Sequence, residues 1–484
     1  MHATAAAHEP EPLYRALASR LEGMIGSRSL RPGDRMPSVR HFARQQRVSV
    51  PTAMHAYATL ETRGLVEARP KSGFFVRARH ADQVRAPSVT AARPKVTDFA
   101  SLDLMDSIVA AQSNPNLLPL GMALPDPNLL PGEKLARMMG SIARSLGPRS
   151  TNYDMPPGAE CIRRELARRS LDWGCALQPE EFLITNGCTE AVALALRATC
   201  NPGDTVVVEA PTYFGLTCTL RELQLKALPI PVDSTDGIDL DALEMSLRRT
   251  RVAACALIPN FHNPVGFVMP EEKKRRLVEI LAKRSLPLIE DDIYGELQHS
   301  GERPRTIKAF DREGLVLLCS SFSKNLAPGY RVGYIAAGRW HAKVMRLKLA
   351  TSLANASLPS LVISEYLRNG GYDRYLRSLR QTYRQQVERM REAIVHYFPE
   401  GIGLSRPQGN FVLWCELPPQ VDSIVLFKQA MRAGISIAPG PLFAPDGGFK
   451  NFMRINCGYP MTPTIERAVE VLGQLAKKLT RGGS

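Results

Sequence analysis

The sequence predicts an α/β protein in two parts, a small helical module that ends in a β-hairpin and a large domain built on a mainly parallel sheet. Three observations carry this. At 484 residues with 44% hydrophobic content, the chain exceeds what one core ordinarily organises. The charge is uneven: residues 1–95 hold 16 Lys/Arg against 7 Asp/Glu, so nine of the formal +15 lie in the first fifth of the chain. From residue 101 onward, apolar β-rich runs (TVVVEA, AACALIP, LPLIED, LVLLCSS) alternate with helical patterns such as EEKKRRLVEILAKR, as expected of parallel strands joined by crossover helices.

In the first part, Leu13, Leu17, Leu21 and Ile25 recur every four residues and predict an amphipathic helix, which Arg31-Pro32-Gly33-Asp34 breaks. Ser38 can cap a second helix over 39–46. After a turn at Arg47-Val48, Ser49 can cap a third, with Pro51 tolerated in its first turn and Ala53, Ala56, Tyr57 and Leu60 facing inward. LVEAR and FFVRA, separated by PKSG, then predict a hairpin with Gly73 at its tip. The order is that of a winged helix-turn-helix over 11–79, in the basic part of the chain, where a polyanion would bind. Residues 80–100, which carry Pro87 and Pro94, predict an exposed, semi-extended linker, and 101–484 form the large domain.

Nine scattered cysteines without a C-x-x-C pair argue against a disulfide framework and a zinc site, and suit a reducing cytoplasm. The first residues lack a signal-like pattern, and no run has the apolar length of a membrane span, so neither export nor membrane insertion is expected.

The run from Arg31 to Val76 closely resembles the DNA-binding domain of the GntR family. The resemblance implies that Arg35, Ser38 and Arg40 touch phosphates or base edges of double-stranded operator DNA. It places the Ser49 helix, with Thr52 and His55, in the major groove and the Gly73 wing along the minor groove. The family usually has an arginine after the serine; here that position is Val50, so a bidentate guanine contact is lost, with Met54 and His55 as replacements to consider.

In the large domain, SSFSKNLAPGYRVGY (320–334) places Lys324 among the hydroxyls of Ser321 and Ser323, with Arg331 seven residues on. An amine, short hydroxyls and a planar cation suit covalent anchoring of pyridoxal 5′-phosphate (PLP) and binding of its phosphate. A protonated pyridine nitrogen needs an anion, which LIEDDIYGE offers as Asp291 or Asp292; the spacing to Tyr294 favours Asp291. IPNFHNPVG offers the Asn263 amide to the phenolic oxygen, which Tyr294 also approaches, and EAPTYFG offers Tyr213 to stack on the ring. LITNGCTEAVALAL runs from strand to helix, so the backbone N–H groups of Gly187, Cys188 and Thr189 would meet a phosphate at a helix N-terminus.

In this order and spacing the five strings resemble the fold type I, class I aminotransferases from about residue 115 onward. The resemblance implies a small C-terminal α+β subdomain, Arg454 on the α-carboxylate of an amino acid with Gly121 nearby, and Tyr153 reaching the phosphate of a neighbouring subunit. Reading head, linker and aminotransferase-like domain together resemble the MocR subfamily of bacterial regulators. That implies a cytoplasmic homodimer, its heads domain-swapped head to tail, that senses PLP or an amino acid and binds DNA. The alternative is a working aminotransferase that carries a DNA-binding module.

Overall fold

The computed structural model describes residues 12–26, 29–30, 33–62, 64–69, 72–76, 81, 83–88, 94–97, 103–112 and 114–482. Arg31, Pro32, Pro70 and Lys71, and residues 80, 82, 89–93 and 98–100 of the expected linker, lie outside them. The chain forms two compact units, Met1–Gln83 and Val84–Ser484.

The small unit is a helix-turn-helix with a wing. Helix α1 spans Leu13–Gly26, α2 Val39–Gln46 and α3 Val50–Thr62. Leu17 and Leu21 bury as their spacing predicts, whereas Leu13, at the first turn, is 56% exposed. Both serine caps form: Ser38 Oγ accepts from His41 N and Ser49 Oγ from Thr52 N, each at 3.2 Å, satisfying amides that the helix cannot. Arg47 makes the turn between α2 and α3 with a left-handed φ of 53°. Strands β1 (Val66–Arg69) and β2 (Gly73–Val76) pair antiparallel, with Gly73 opposite Arg69 and at φ 97°, a conformation that favours glycine. Tyr57 fastens the unit: its hydroxyl donates to Pro37 O at 2.7 Å and its ring meets Phe42 and Phe74 edge-on.

In the large unit, an eight-stranded sheet runs in the order Phe182–Thr185, Gly333–Ala336, Val316–Ser321, Leu288–Asp291, Ala254–Leu257, Thr205–Ala210, Lys226–Asp233, Gly237–Ile238. The central pairings are parallel; Gly333–Ala336 and Gly237–Ile238 run against their neighbours. The parallel strands are continuous apolar runs because both faces are covered: Val206, Val207 and Val208 are all fully buried. A four-stranded antiparallel sheet, ordered Gly403–Leu404, Val412–Glu416, Phe452–Asn456, Ala438–Pro439, forms the second, α+β part with the helices Ser423–Arg432 and Pro463–Arg481. Early residues join it: Leu118–Pro119 pairs in parallel with Ile435–Ser436.

The expected linker keeps Arg85, Ala86, Ser88 and Lys95 exposed but, in its described portions, is held against the large unit by hydrogen bonds and an ion pair and is not a free spacer. Arg85 forms a 2.7 Å ion pair with Glu416, which also accepts from Ser88 N; Leu404 N donates to Arg85 O, and Pro87 is buried. Thr97 exchanges backbone hydrogen bonds with Ala227. Both segments satisfy backbone groups that sheet edges would otherwise present to water.

Candidate functional site

The ends of the parallel strands and the loops after them enclose a cavity of about 240 Å³. Lys324, Asp291, Tyr294, Asn263, Tyr213, Cys188, Thr189, Ser323, Arg331 and Arg454 all contribute to its wall. These residues span more than 260 positions of sequence. The fold converges them because each follows a strand of one sheet or, for Arg454, lies on the adjoining sheet, a placement typical of ligand sites in open α/β folds.

Lys324 Nζ donates to Ala123 O at 2.7 Å. Burial, with the positive charge of Arg454 nearby, lowers its pKa to about 8. Asp291 ends the strand Leu288–Asp291 and accepts through Oδ1 from Ile293 N at 3.1 Å and from Cys188 Sγ at 3.4 Å. Burial raises this carboxyl to about 6 against the effect of those hydrogen bonds. Asp292 is turned away: it is held by Asn260 Nδ2 at 2.8 Å and by the Arg303 guanidinium, and it is not part of the cavity wall. Of the two carboxylates, Asp291, which the spacing favours, is the one that meets the cavity.

Arg454 is fully buried on the strand Phe452–Asn456. Nη1 donates to Asn263 Oδ1 at 2.9 Å and Nη2 to Gly121 O at 2.6 Å, while Nε has no hydrogen-bond partner. Two of the five guanidinium N–H groups are used, leaving donors for a further acceptor. Burial lowers its pKa to about 10, so it remains a cation at neutral pH. Asn263 Nδ2 in turn donates to Tyr294 Oη at 3.5 Å, so Asn263 links the arginine to the tyrosine. Gly121 has no room for a side chain: a Cβ there would stand 2.5 Å from Ser436 Oγ.

At the other end, helix Cys188–Thr199 presents its N-terminus, with Gly187 as cap at φ 81°. Any Cβ on Gly187 would overlap the Arg331 guanidinium. Arg331, itself left-handed at φ 53°, donates to Asn186 O at 3.1 Å and Ser323 Oγ at 3.3 Å. Backbone amides and a guanidinium beside a helix N-terminus form a cup for an anion. Ser321 stands behind it, its buried hydroxyl accepting from Ser323 N at 3.3 Å. Tyr153 is not brought to the cavity of its own chain and is 76% exposed.

Sequence reasoning missed Gly215. A Cβ there would lie 2.5–2.6 Å from the Tyr213 ring and hydroxyl, so glycine is what lets that ring fold down over the helix start. It also missed Phe214 and Phe443, which flank the Arg454 guanidinium at 5.8 and 4.9 Å. The only local signal was the aromatic pair Tyr213-Phe214.

In the small unit, Arg35, Ser38, Arg40, Ser49, His55 and Gly73 are exposed and Thr52 half-buried. The Arg35 guanidinium lies beside Gly73 at the wing tip. His55 is held by α1, its ring stacked on Tyr14 at 4.6 Å. Ser49 and Thr52 share a 2.7 Å hydrogen bond between their hydroxyls.

Comparison with known proteins gives the same two parts. Residues 127–472 match the aminotransferase class I and II family, and residues 13–76 match the bacterial regulatory proteins of the gntR family. The HTH-type transcriptional regulator YjiR of Escherichia coli is 37% identical over 464 residues, 95% of this chain and 98% of that one. YdcR of the same organism is 37% identical over 465 residues, covering 96% and 99%. Among solved structures, LysN, an α-aminoadipate aminotransferase from Thermus thermophilus complexed with N-(5′-phosphopyridoxyl)-L-leucine, superposes with a TM-score of 0.72 at 30% identity, over 79% of this chain and 96% of that one. The multiple substrate aminotransferase of Thermococcus profundus gives a TM-score of 0.73 at 27% identity.

Proposed function

This chain belongs to the MocR subfamily of GntR-type DNA-binding transcriptional regulators, and we propose that its aminotransferase-like unit holds PLP and reports the cofactor, or an amino acid captured with it, to DNA. The observation that carries the reading is a single cavity lined by an amine, a carboxylate, an anion cup and a guanidinium with donors to spare. The fit extends to the backbone, since Gly187 is the residue that leaves space for Arg331 beside the cup.

When bound, PLP supplies an aldehyde to which amines add and a ring that withdraws electrons. Lys324, with its lowered pKa, offers the amine that anchors it. Asp291 holds a proton on the ring nitrogen, Tyr213 covers the ring face, and Asn263 with Tyr294 donates to the phenolic oxygen. Arg331, Ser323 and the amides of 187–189 bind the phosphate, backed by Ser321. Arg454 takes the α-carboxylate of an amino acid through N–H groups that Asn263 and Gly121 leave over. Tyr153, exposed and outside the wall of its own cavity, serves the cavity of a second copy in a homodimer whose heads are exchanged head to tail. Operator DNA as partner places the protein's work in the cytoplasm. Separately, no helix of the described residues is long and apolar enough to cross a membrane.

The test is reduction of the PLP-treated full chain with borohydride followed by peptide mass analysis. A cofactor adduct at Lys324, absent in Lys324→Ala, is expected; an unmodified Lys324 peptide would overturn the assignment. A second reading, an active aminotransferase, is favoured by the completeness of the residue set and by the solved relatives. Turnover of an amino acid with a keto acid by the purified protein would establish it.

A further inference from the structure

The small unit presents an apolar pair on the helix that the DNA-binding reading places in the major groove. Val50 and Met54 are 45% and 46% exposed; the other large apolar side chains of the unit that are exposed among the described residues, Leu13 at 56% and Met24 at 40%, lie on α1 and not on the helix assigned to the groove. They stand four residues apart on α3, hence one above the other on one face. The opposite face is locked: Ala53, Ala56, Tyr57 and Leu60 are fully buried, and Tyr57 is tied to Pro37 O. The helix therefore cannot rotate this pair inward without losing its core.

The polar side chains around the pair already have partners within the unit. Ser49 and Thr52 hydroxyls bond each other while capping the helix, and His55 is stacked on Tyr14. Exposed Arg40, Arg44 and Arg47 on and just after α2 provide the charge complement to phosphates. What α3 itself advances at its first turns is hydrocarbon. Among base edges in the major groove, the one methyl group is the C5-methyl of thymine; apart from small C–H edges such as cytosine C5–H, the other groups are hydrogen-bond donors or acceptors that Val50 and Met54 would desolvate without recompense.

We infer that Val50 and Met54 are specificity-determining residues that read thymine methyl groups, so that the operator half-site carries A·T pairs where a guanine-binding arginine at position 50 would have selected G·C. This rests on the small unit being a DNA-binding head with α3 in the major groove.

The test uses the full chain and a randomised duplex library, from which bound sequences are enriched at fixed salt. The enriched duplex is then made with thymine or with deoxyuridine at each T of the half-site, which removes the methyl alone. Wild type should lose roughly fourfold in affinity for each methyl in contact, and the variant carrying Val50→Ala and Met54→Ala should bind both duplexes alike. Both side chains are exposed, so the variant keeps the core of the head. Equal binding of thymine and uracil duplexes by wild type overturns the methyl contact while leaving DNA binding intact. A difference that persists in the variant also overturns it, because the preference then comes from DNA shape. Failure to enrich any sequence removes the underlying reading as well.

Discussion

Cys188 Sγ lies 3.4 Å from Asp291 Oδ1, so a thiol in the first turn of one helix steadies the carboxylate at the end of a strand 103 residues away. Ile293 N donates to the same oxygen, which leaves Oδ2 as the atom to meet a ligand in the cavity. Asp291→Asn keeps the shape and removes the charge. It should weaken PLP binding roughly tenfold or more, about 1.4 kcal/mol, measured by equilibrium dialysis, because a charge-assisted hydrogen bond to the ring nitrogen is lost. Cys188→Ser, which retains a donor, should change it far less.

Lys324 makes a pH prediction. An amine attacks only when neutral, and burial beside Arg454 brings this one from its ordinary 10.5 to about 8. Its neutral fraction, about a tenth at pH 7, therefore grows as pH rises through 8 and then saturates. Stopped-flow absorbance of PLP mixed with ligand-free protein should show a rate that climbs about tenfold per pH unit below pH 8 and levels off above it. A rate still climbing beyond pH 9 would mean that the lysine is unperturbed.

Arg454→Lys preserves a cation but not the planar fork. The variant should retain the absorbance of anchored PLP and respond to amino acids only at concentrations roughly 10- to 100-fold higher, as expected for loss of a charge-assisted bidentate contact. An unchanged spectral titration would place the carboxylate elsewhere.

Arg40→Ala, an exposed position beside the Ser38 cap, should weaken binding to the enriched duplex by about 1–3 kcal/mol while leaving PLP absorbance intact. If the contact is to phosphate alone, the slope of affinity against salt falls by about one. Fluorescence anisotropy across a salt series separates the two cases.

Much of this architecture was legible because it is locally encoded. Ser38 and Ser49 cap helices where a short hydroxyl before an apolar repeat predicts it, and Gly187 and Gly73 occupy positive-φ positions that their turns demand. What escaped is non-local. The Arg85–Glu416 ion pair that docks the expected linker joins residues 331 apart, and no pattern in 80–100 announces it. The spacing to Tyr294 favours Asp291 over Asp292, but the partners that turn Asp292 away, Arg303 and Asn260, come from separate segments that the spacing does not announce. Gly215 is needed only because of where the Tyr213 ring comes to rest.

The central claim is the proposed linkage: if a ligand held by Lys324 alters DNA affinity, DNA must alter ligand affinity by the same factor. Its most direct test is titration of the enriched operator duplex into wild type and Lys324→Ala, each with and without PLP and a panel of amino acids. The account predicts that wild-type affinity shifts with ligand, by roughly 5-fold or more. The variant should bind DNA with its response to ligand abolished or altered, since a ligand moves an equilibrium only through interactions that differ between its two states. A wild-type affinity indifferent to every ligand would contradict the account and leave the large unit an enzyme that shares a chain with a DNA-binding head.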